Sequence, residues 1–171
     1  QKEKSLMNYN ALDLGCGNGW VVRKLKEHSL CKEAHGVDGA KQMIKKAQAK
    51  DSDGTYFNHD ILTWDNKTTY DIVFSMEVLY YFDKPQLILD KIYNQILKPK
   101  GQLIIGIDHY IDNKSSLDWP RKFQLDMTSW SIKKWRKEFL NVGFQNIMIK
   151  QVEKKKNWAG TLIIHGYKNE K

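Results

Sequence analysis

The sequence predicts an α/β protein whose strands form a parallel sheet through βαβ units. Short apolar runs alternate with helical patterns along nearly the whole chain, and the connections between them are short. The run Tyr70–Ser75 reads as continuously apolar, as a strand covered on both faces requires. The first run ends in Gly15-Cys16-Gly17-Asn18-Gly19, a turn with glycine at every second position that leads into a helical segment.

The elements follow in order. A first strand covers Asn10–Leu14, and the helix after the glycine turn spans about Trp20–Lys26. A second strand, Ala34–Asp38, precedes a helix from about Ala40 to Lys50, with Met43, Ile44 and Ala47 at helical spacing and lysines outside. Asp51-Ser52-Asp53-Gly54 reads as a turn and Thr55–Asn58 as a short third strand. After the fourth strand, Asp83 has the chemistry of an N-cap, and Pro85 falls in the first turn, where a missing N–H costs nothing. Leu87, Ile88, Ile92, Ile96 and Leu97 make the inner stripe of that helix. Pro99-Lys100-Gly101 ends it, and Gln102–Ile107 is a fifth strand. A long connection, His109–Trp130, is polar and aromatic. A helix over Ile132–Asn141 then stops at Gly143, a left-handed cap position. Gln145–Val152 and Thr161–Tyr167 read as two strands joined without a helix.

The length, 171 residues, suits one domain over the whole chain, and 41% hydrophobic residues with six tryptophans exclude disorder. No apolar run is long enough to cross a membrane, and Gln1–Asn10 lacks the apolar core of a signal peptide, so a cytoplasmic protein without a membrane partner is expected. Cys16 and Cys31 give no disulfide framework and read as structural thiols. Five scattered histidines show no ligand spacing, so no metal site is expected. The net charge of +8 is uneven: up to Asp118, 16 basic residues meet 16 acidic ones, whereas from Trp119 onward 12 meet 4. Such an excess marks either a nucleic-acid-facing surface or a solvated helix face plus the run Lys154-Lys155-Lys156. With two arginines there and no aromatic–basic RNA motif, the solvated reading is favoured over a nucleic-acid partner.

The glycine turn has an obvious rival reading, the dinucleotide fingerprint G-x-G-x-x-G. Here the pattern is G-x-G-x-G, Trp20 stands where the third fingerprint glycine would pack, and Asp13 sits inside the strand. The segment Asp13-Leu14-Gly15-Cys16-Gly17-Asn18-Gly19 resembles the first motif of the class I S-adenosylmethionine-dependent methyltransferases. Five strands with helical crossovers and a terminal strand pair extend that resemblance from about Tyr9 to Lys168. It implies a Rossmann-like, doubly wound, seven-stranded sheet, mostly parallel with an antiparallel last strand. It also implies S-adenosylmethionine as cofactor. Many relatives carry one or two helices before the first strand, where this chain has only ten residues. The expectation is either a missing lid segment or an open acceptor pocket.

The residues then take roles. Asp13, Gly15, Cys16 and Gly17 belong to the motif that faces the cofactor. Asp38, at the end of the second strand, is placed to accept from both ribose hydroxyls, or more blandly to cap the following helix. Gly39 and Met43 resemble positions that shape the adenosine pocket, Met43 being equally suited to the core. The resemblance places Asp60 against the adenine amino group and Ile61 beside the ring. Ser75 opens the segment Ser75-Met76-Glu77-Val78-Leu79-Tyr80-Tyr81-Phe82, which in related enzymes passes under the methionine part of the cofactor. That segment lacks the N-P-P-Y-like motif of amino-directed DNA methyltransferases and looks more like the enzymes of small metabolites. Tyr80 and Tyr81 suit a sulfonium or a cationic substrate as well as they suit the core. His109 is a candidate general base, against the commoner structural histidine. The expectation is therefore methyl transfer to a small-molecule acceptor. The alternatives are an RNA or protein methyltransferase using the basic last third, and a non-catalytic partner subunit of the same fold.

Overall fold

The computed structural model describes residues 8–170. The expectation about a segment before the first strand falls largely outside them. β1 (Tyr9–Leu14) runs through the glycine turn into α1 (Trp20–Lys26), followed by β2 (Cys31–Asp38), α2 (Lys41–Lys50) and β3 (Thr55–Asn58). β4 (Tyr70–Met76) gives way to a 3-10 turn, Leu79–Tyr81, and then to α3 (Pro85–Lys91), which closes in a π turn over Ile92–Ile96. β5 (Leu97–Ile107), the short α4 (Trp119–Phe123), α5 (Ile132–Val142), β6 (Gln145–Val152) and β7 (Thr161–Tyr167) complete the chain.

One seven-stranded sheet results, in the order β3-β2-β1-β4-β5-β7-β6. β1 to β5 pair in parallel, and β7 inserts antiparallel between β5 and β6. The chain starts mid-sheet, winds out to β3 and returns beside β1 as β4. Ligands of open α/β sheets bind at such a reversal, outside the carboxyl ends of the strands. The two faces bury separate clusters, because side chains of opposite parity leave opposite faces. Val22, Ala34, Ile44, Ala47 and Tyr56 form the smaller one under α1 and α2. Leu12, Val37, Val73, Leu103, Ile88 and Phe139 belong to the larger one under α3 and α5. Beside α1, half-buried Phe74 and Ile104 with Leu25 and Trp20 border an apolar hollow of about 360 Å³.

Several boundaries differ from the sequence reading. β2 starts at Cys31, extended by pairing with β1 rather than by apolar pattern. The residue before α3 is Lys84, with Pro85 at the first position as expected, and the Asp83 side chain makes no cap. Leu87 faces out at 49% exposure while Leu89 is buried, and Leu97 belongs to β5, where it pairs with Tyr70. The buried set Pro85, Ile88, Leu89, Ile92 and Ile96 keeps the helical period with Leu87 on its outer side, and the π turn ends just before Leu97. The long connection carries α4 and a 3-10 turn at Lys114–Ser116. Gly143 is left-handed at φ 116° and caps α5, as its position suggested.

Candidate active site

The cleft begins in backbone geometry. Gly15, Gly17 and Gly19 all take positive φ, at 79°, 51° and 74°. A Cβ on Gly15 would lie 2.2 Å from the Val78 side chain, whereas one on Gly17 would meet nothing within 4 Å. Gly15 thus allows close approach of the β4 side, and Gly17 leaves bare main chain toward open space. Trp20 extends outward at 55% exposure, so its indole never contests the helix–strand contact.

Asp38 completes the turn from β2. Its Oδ2 accepts the Gly17 N–H at 2.8 Å and its Oδ1 accepts the Ala40 N–H at 2.7 Å. Asp38 does not cap α2, whose cap residue is Ala40 with no side-chain cap; instead two donors orient the carboxylate, and each oxygen keeps a second lone pair for the cavity. That cavity, about 340 Å³, is lined by Gly15, Gly17, Asp38, Gly39, Met43 and Ile61 on one side and by Met76, Glu77, Val78, Tyr81 and Phe82 on the other. An adjoining cavity of about 370 Å³ reaches Asp13, Cys16 and Asn18.

The structure sorts the expected residues. Met43 is 40% exposed and lines the cavity, so it is no core residue. Asp60 is not among the lining residues; its Oδ1 accepts from Leu62 and Thr63 N–H at 2.8 and 3.1 Å and closes the turn that presents Ile61. Ser75 is fully buried beneath the cleft, its hydroxyl donating to the Leu14 carbonyl at 2.8 Å and tying β4 to β1. Cys16 offers its backbone, while its thiol is buried against Gly36, and burial pushes its pKa far up. Such a thiol is no nucleophile.

The charges in the cleft are acidic. Asp13 is 2% exposed, and burial first, then the Asp38 charge, push its carboxyl up to about 7. Glu77 is pushed up to about 7 as well, first by burial and then by the charge of Asp108. The Tyr80 hydroxyl donates to Glu77 Oε2 at 2.8 Å and offsets part of that rise. Glu77 Oε1, Asp108 Oδ1 and Asn18 Oδ1 are buried without a hydrogen-bond partner among the described residues. Glu77 also holds φ at 59°, a left-handed conformation that a side chain adopts at a cost of about 1–3 kcal/mol. Orphaned acceptors and a strained carboxylate in one cleft fit a ligand that brings positive charge and N–H donors.

The two catalytic candidates from the sequence have other tasks. His109 is fully buried, with Nδ1 2.9 Å from the Ser116 carbonyl and Nε2 2.7 Å from the Ser129 hydroxyl. A carbonyl only accepts, so Nδ1 carries the proton and Nε2 accepts from Ser129, which leaves no lone pair for a substrate. Tyr80 is 2% exposed, and its hydroxyl is spent on Glu77. Glu77 itself was visible in the sequence only as one residue of the β4 exit. An acid between Met76 and Val78 at a strand's carboxyl end was the available signal, and the left-handed turn that aims it was not.

The chain belongs to the class I S-adenosylmethionine-dependent methyltransferases: a methyltransferase domain family matches residues 12–105, more than half of it. A tRNA U34 carboxymethyltransferase of Pseudoalteromonas atlantica is 34% identical over 112 residues, covering 60% of this chain and 32% of that protein. The chain thus spans about a third of that relative's length. A methyltransferase solved in complex with the Trm112 methyltransferase activator of Haloferax volcanii has a TM-score of 0.80 at 26% identity, over 95% of this chain and 84% of that one. The N-methyltransferase NodS of Bradyrhizobium japonicum, solved with S-adenosyl-L-homocysteine, shares the fold with a TM-score of 0.71 at 17% identity, over 94% and 79% of the two chains. No helix among the described residues is long and apolar enough to cross a membrane.

Proposed function

We propose that this protein is an S-adenosylmethionine-dependent methyltransferase acting on a small molecule through a protonatable nitrogen. The observation that carries the acceptor is Glu77: a buried, unpartnered carboxylate oxygen beside the cofactor turn, with its pKa raised to about 7. The NodS neighbour, an N-methyltransferase, shares the fold that this reading needs. For the cofactor, the bare backbone at Gly17, the oriented Asp38, the buried carboxyl of Asp13 and the unpaired oxygen of Asn18 fit adenosine joined to a cationic sulfur and an amino group. When bound, S-adenosylmethionine supplies a methyl group on positively charged sulfur, and transfer exchanges that C–S bond for a bond to the acceptor.

The chain's residues divide the remaining work. Asp38 holds the ribose, Ile61 and Met43 flank the adenine, and Asp13 with Asn18 accepts from the amino end. Asp60, which closes the turn behind Ile61, is proposed to reach the adenine amino group with its second oxygen, and Ser75 to brace the cleft floor. Glu77 draws the protonated acceptor in and takes the proton that its nitrogen must lose before attack; a base titrating near neutrality suits both steps. Tyr80 fixes Glu77, and Tyr81 presents a ring face to the cation. Alignment of acceptor and methyl group in a closed site supplies about 7–11 kcal/mol in favourable cases.

Activity on a panel of amines, phenols and carboxylic acids tests this with Glu77→Gln alongside the wild type. We expect turnover of amines alone, a loss of kcat/KM of about 100-fold in the variant, and S-adenosylhomocysteine affinity within about threefold. Turnover of acids or phenols, or an unaffected variant, sinks the amine reading.

A further inference from the structure

One basic cleft shares no lining residue with the cofactor site. Lys114, Lys154, Lys155 and Lys156 line a cavity of about 520 Å³ together with Trp158. The lysine side chains are exposed, as a solvated run would be, and three observations give the cleft a further role.

The loop is fastened. Lys155 and Trp158 exchange backbone hydrogen bonds at 3.0 and 3.1 Å, the Ser115 hydroxyl donates to the Asn157 carbonyl, and the Ala159 N–H donates to Asn113 Oδ1 at 3.4 Å. Tyr110, fully buried, donates to the Gly160 carbonyl at 2.8 Å and holds the far end. The charge is also uncompensated. Among the described residues none of the four lysines lies within 4 Å of a carboxylate. Asp112, the one acid lining the cleft, accepts the Ile132 N–H at 2.8 Å. Finally, an aromatic chain leads from the cleft into the core, through His109 and Tyr80, which are buried. Trp158 stacks on Trp119 at 6.0 Å, Trp119 on His109 at 6.3 Å, and His109 meets Tyr80 edge-on at 5.6 Å. Tyr80 is the residue bonded to Glu77.

Unpaired lysines on a fastened loop beside a partly exposed indole pair are the chemistry of a phosphate next to an aromatic base: cations for the phosphates, a ring face for the base. We propose that this cleft is a phosphate-binding subsite that takes a nucleotide, free or as part of a single-stranded RNA. Its phosphates lie among Lys114 and Lys154–Lys156, and its base lies against Trp158. Binding here is measured without turnover, so the proposal stands apart from the methyl-transfer reading.

The experiment titrates inorganic pyrophosphate, uridine diphosphate and a labelled short oligouridylate into the wild type and into a triple variant, Lys154→Gln, Lys155→Gln and Lys156→Gln. S-adenosylhomocysteine affinity and thermal stability are followed in both. We expect a nucleotide probe to bind the wild type more tightly than pyrophosphate and to quench tryptophan fluorescence. The triple variant should lose about tenfold or more of that affinity while keeping its stability. A free nucleotide as tight as the oligomer assigns the subsite to a mononucleotide. A much tighter oligomer, with log affinity falling by about 0.7 per phosphate against log salt, assigns it to RNA. Equal binding by wild type and variant, no advantage over pyrophosphate, or no binding by any probe overturns the subsite. Failure of S-adenosylhomocysteine to bind the wild type counts against the cofactor reading and leaves this one to its own probes.

Discussion

The cofactor half and the acceptor half of the cleft are built in different ways. The first is mainly backbone: three left-handed glycines and one carboxylate that accepts two N–H groups, all within the β1–β2 unit. The second is mainly side chains brought from afar. Glu77 leaves β4, its charge neighbour Asp108 leaves β5, and Thr128, from the connection before α5, donates to the Phe82 carbonyl at 2.7 Å. A local motif makes a site that tolerates few substitutions and serves any acceptor. A long-range assembly makes one that can change its substrate while the motif stays put.

The largest effect that can break this contrast is Gly15→Ala. The new Cβ meets Val78 at 2.2 Å in a left-handed conformation. We expect a loss of about 3 kcal/mol, seen as a Tm lower by roughly 10 °C, together with loss of cofactor binding. An unchanged Tm would show that Val78 gives way and that the backbone half is less rigid than described. Next comes Asp38→Ala, which removes the acceptor for Gly17 and Ala40 and, on the proposed reading, the partner of the ribose. Its S-adenosylhomocysteine affinity should fall about 30-fold by calorimetry, with a smaller effect on folding. Equal affinity would remove Asp38 from the cofactor site.

The smallest effect sharpens the comparison through pH. Asp13 and Glu77 titrate near 7 in the folded protein, above the ordinary carboxylate range. Folding therefore takes up protons between about pH 4 and 7. This contribution to stability is fully present below the ordinary carboxyl pKa and is lost as pH rises through 7. A cationic ligand needs the ionised forms, so its affinity should move the other way, rising about tenfold from pH 6 to 8. Cofactor-free stability that climbs over this range, or a flat affinity profile, would contradict the acidic cleft.

Most of the fold was legible because its signals are local. β3, β6, β7 and α1 coincide with their patterns, since each is bounded by turn residues and keeps one period throughout. Leu87 was misplaced because Leu89, not Leu87, falls in phase with Ile88, Ile92 and Ile96, and Leu97 because the helix ends in the π turn just before it. In the candidate site, Gly15, Gly17 and Asp38 line the cleft where their spacing and the family resemblance put them. The position of Glu77 was not legible, because it depends on a left-handed turn and on a neighbour beyond another strand. His109 invited a catalytic reading by its chemistry, and only its two bonded nitrogens show that its ring is occupied within the fold.

The Gly17 N–H bound to Asp38 at 2.8 Å has one more consequence. The glycine turn is the segment of this chain with most conformational freedom to lose, and that loss is settled when β2 pairs with β1, before a ligand arrives. Ligand association then carries little ordering entropy of its own at this loop, which favours tight binding from few contacts. The same hydrogen bond makes the ribose carboxylate and the loop one unit. An adenosine fragment lacking the methionine tail would therefore meet a loop already in its working shape.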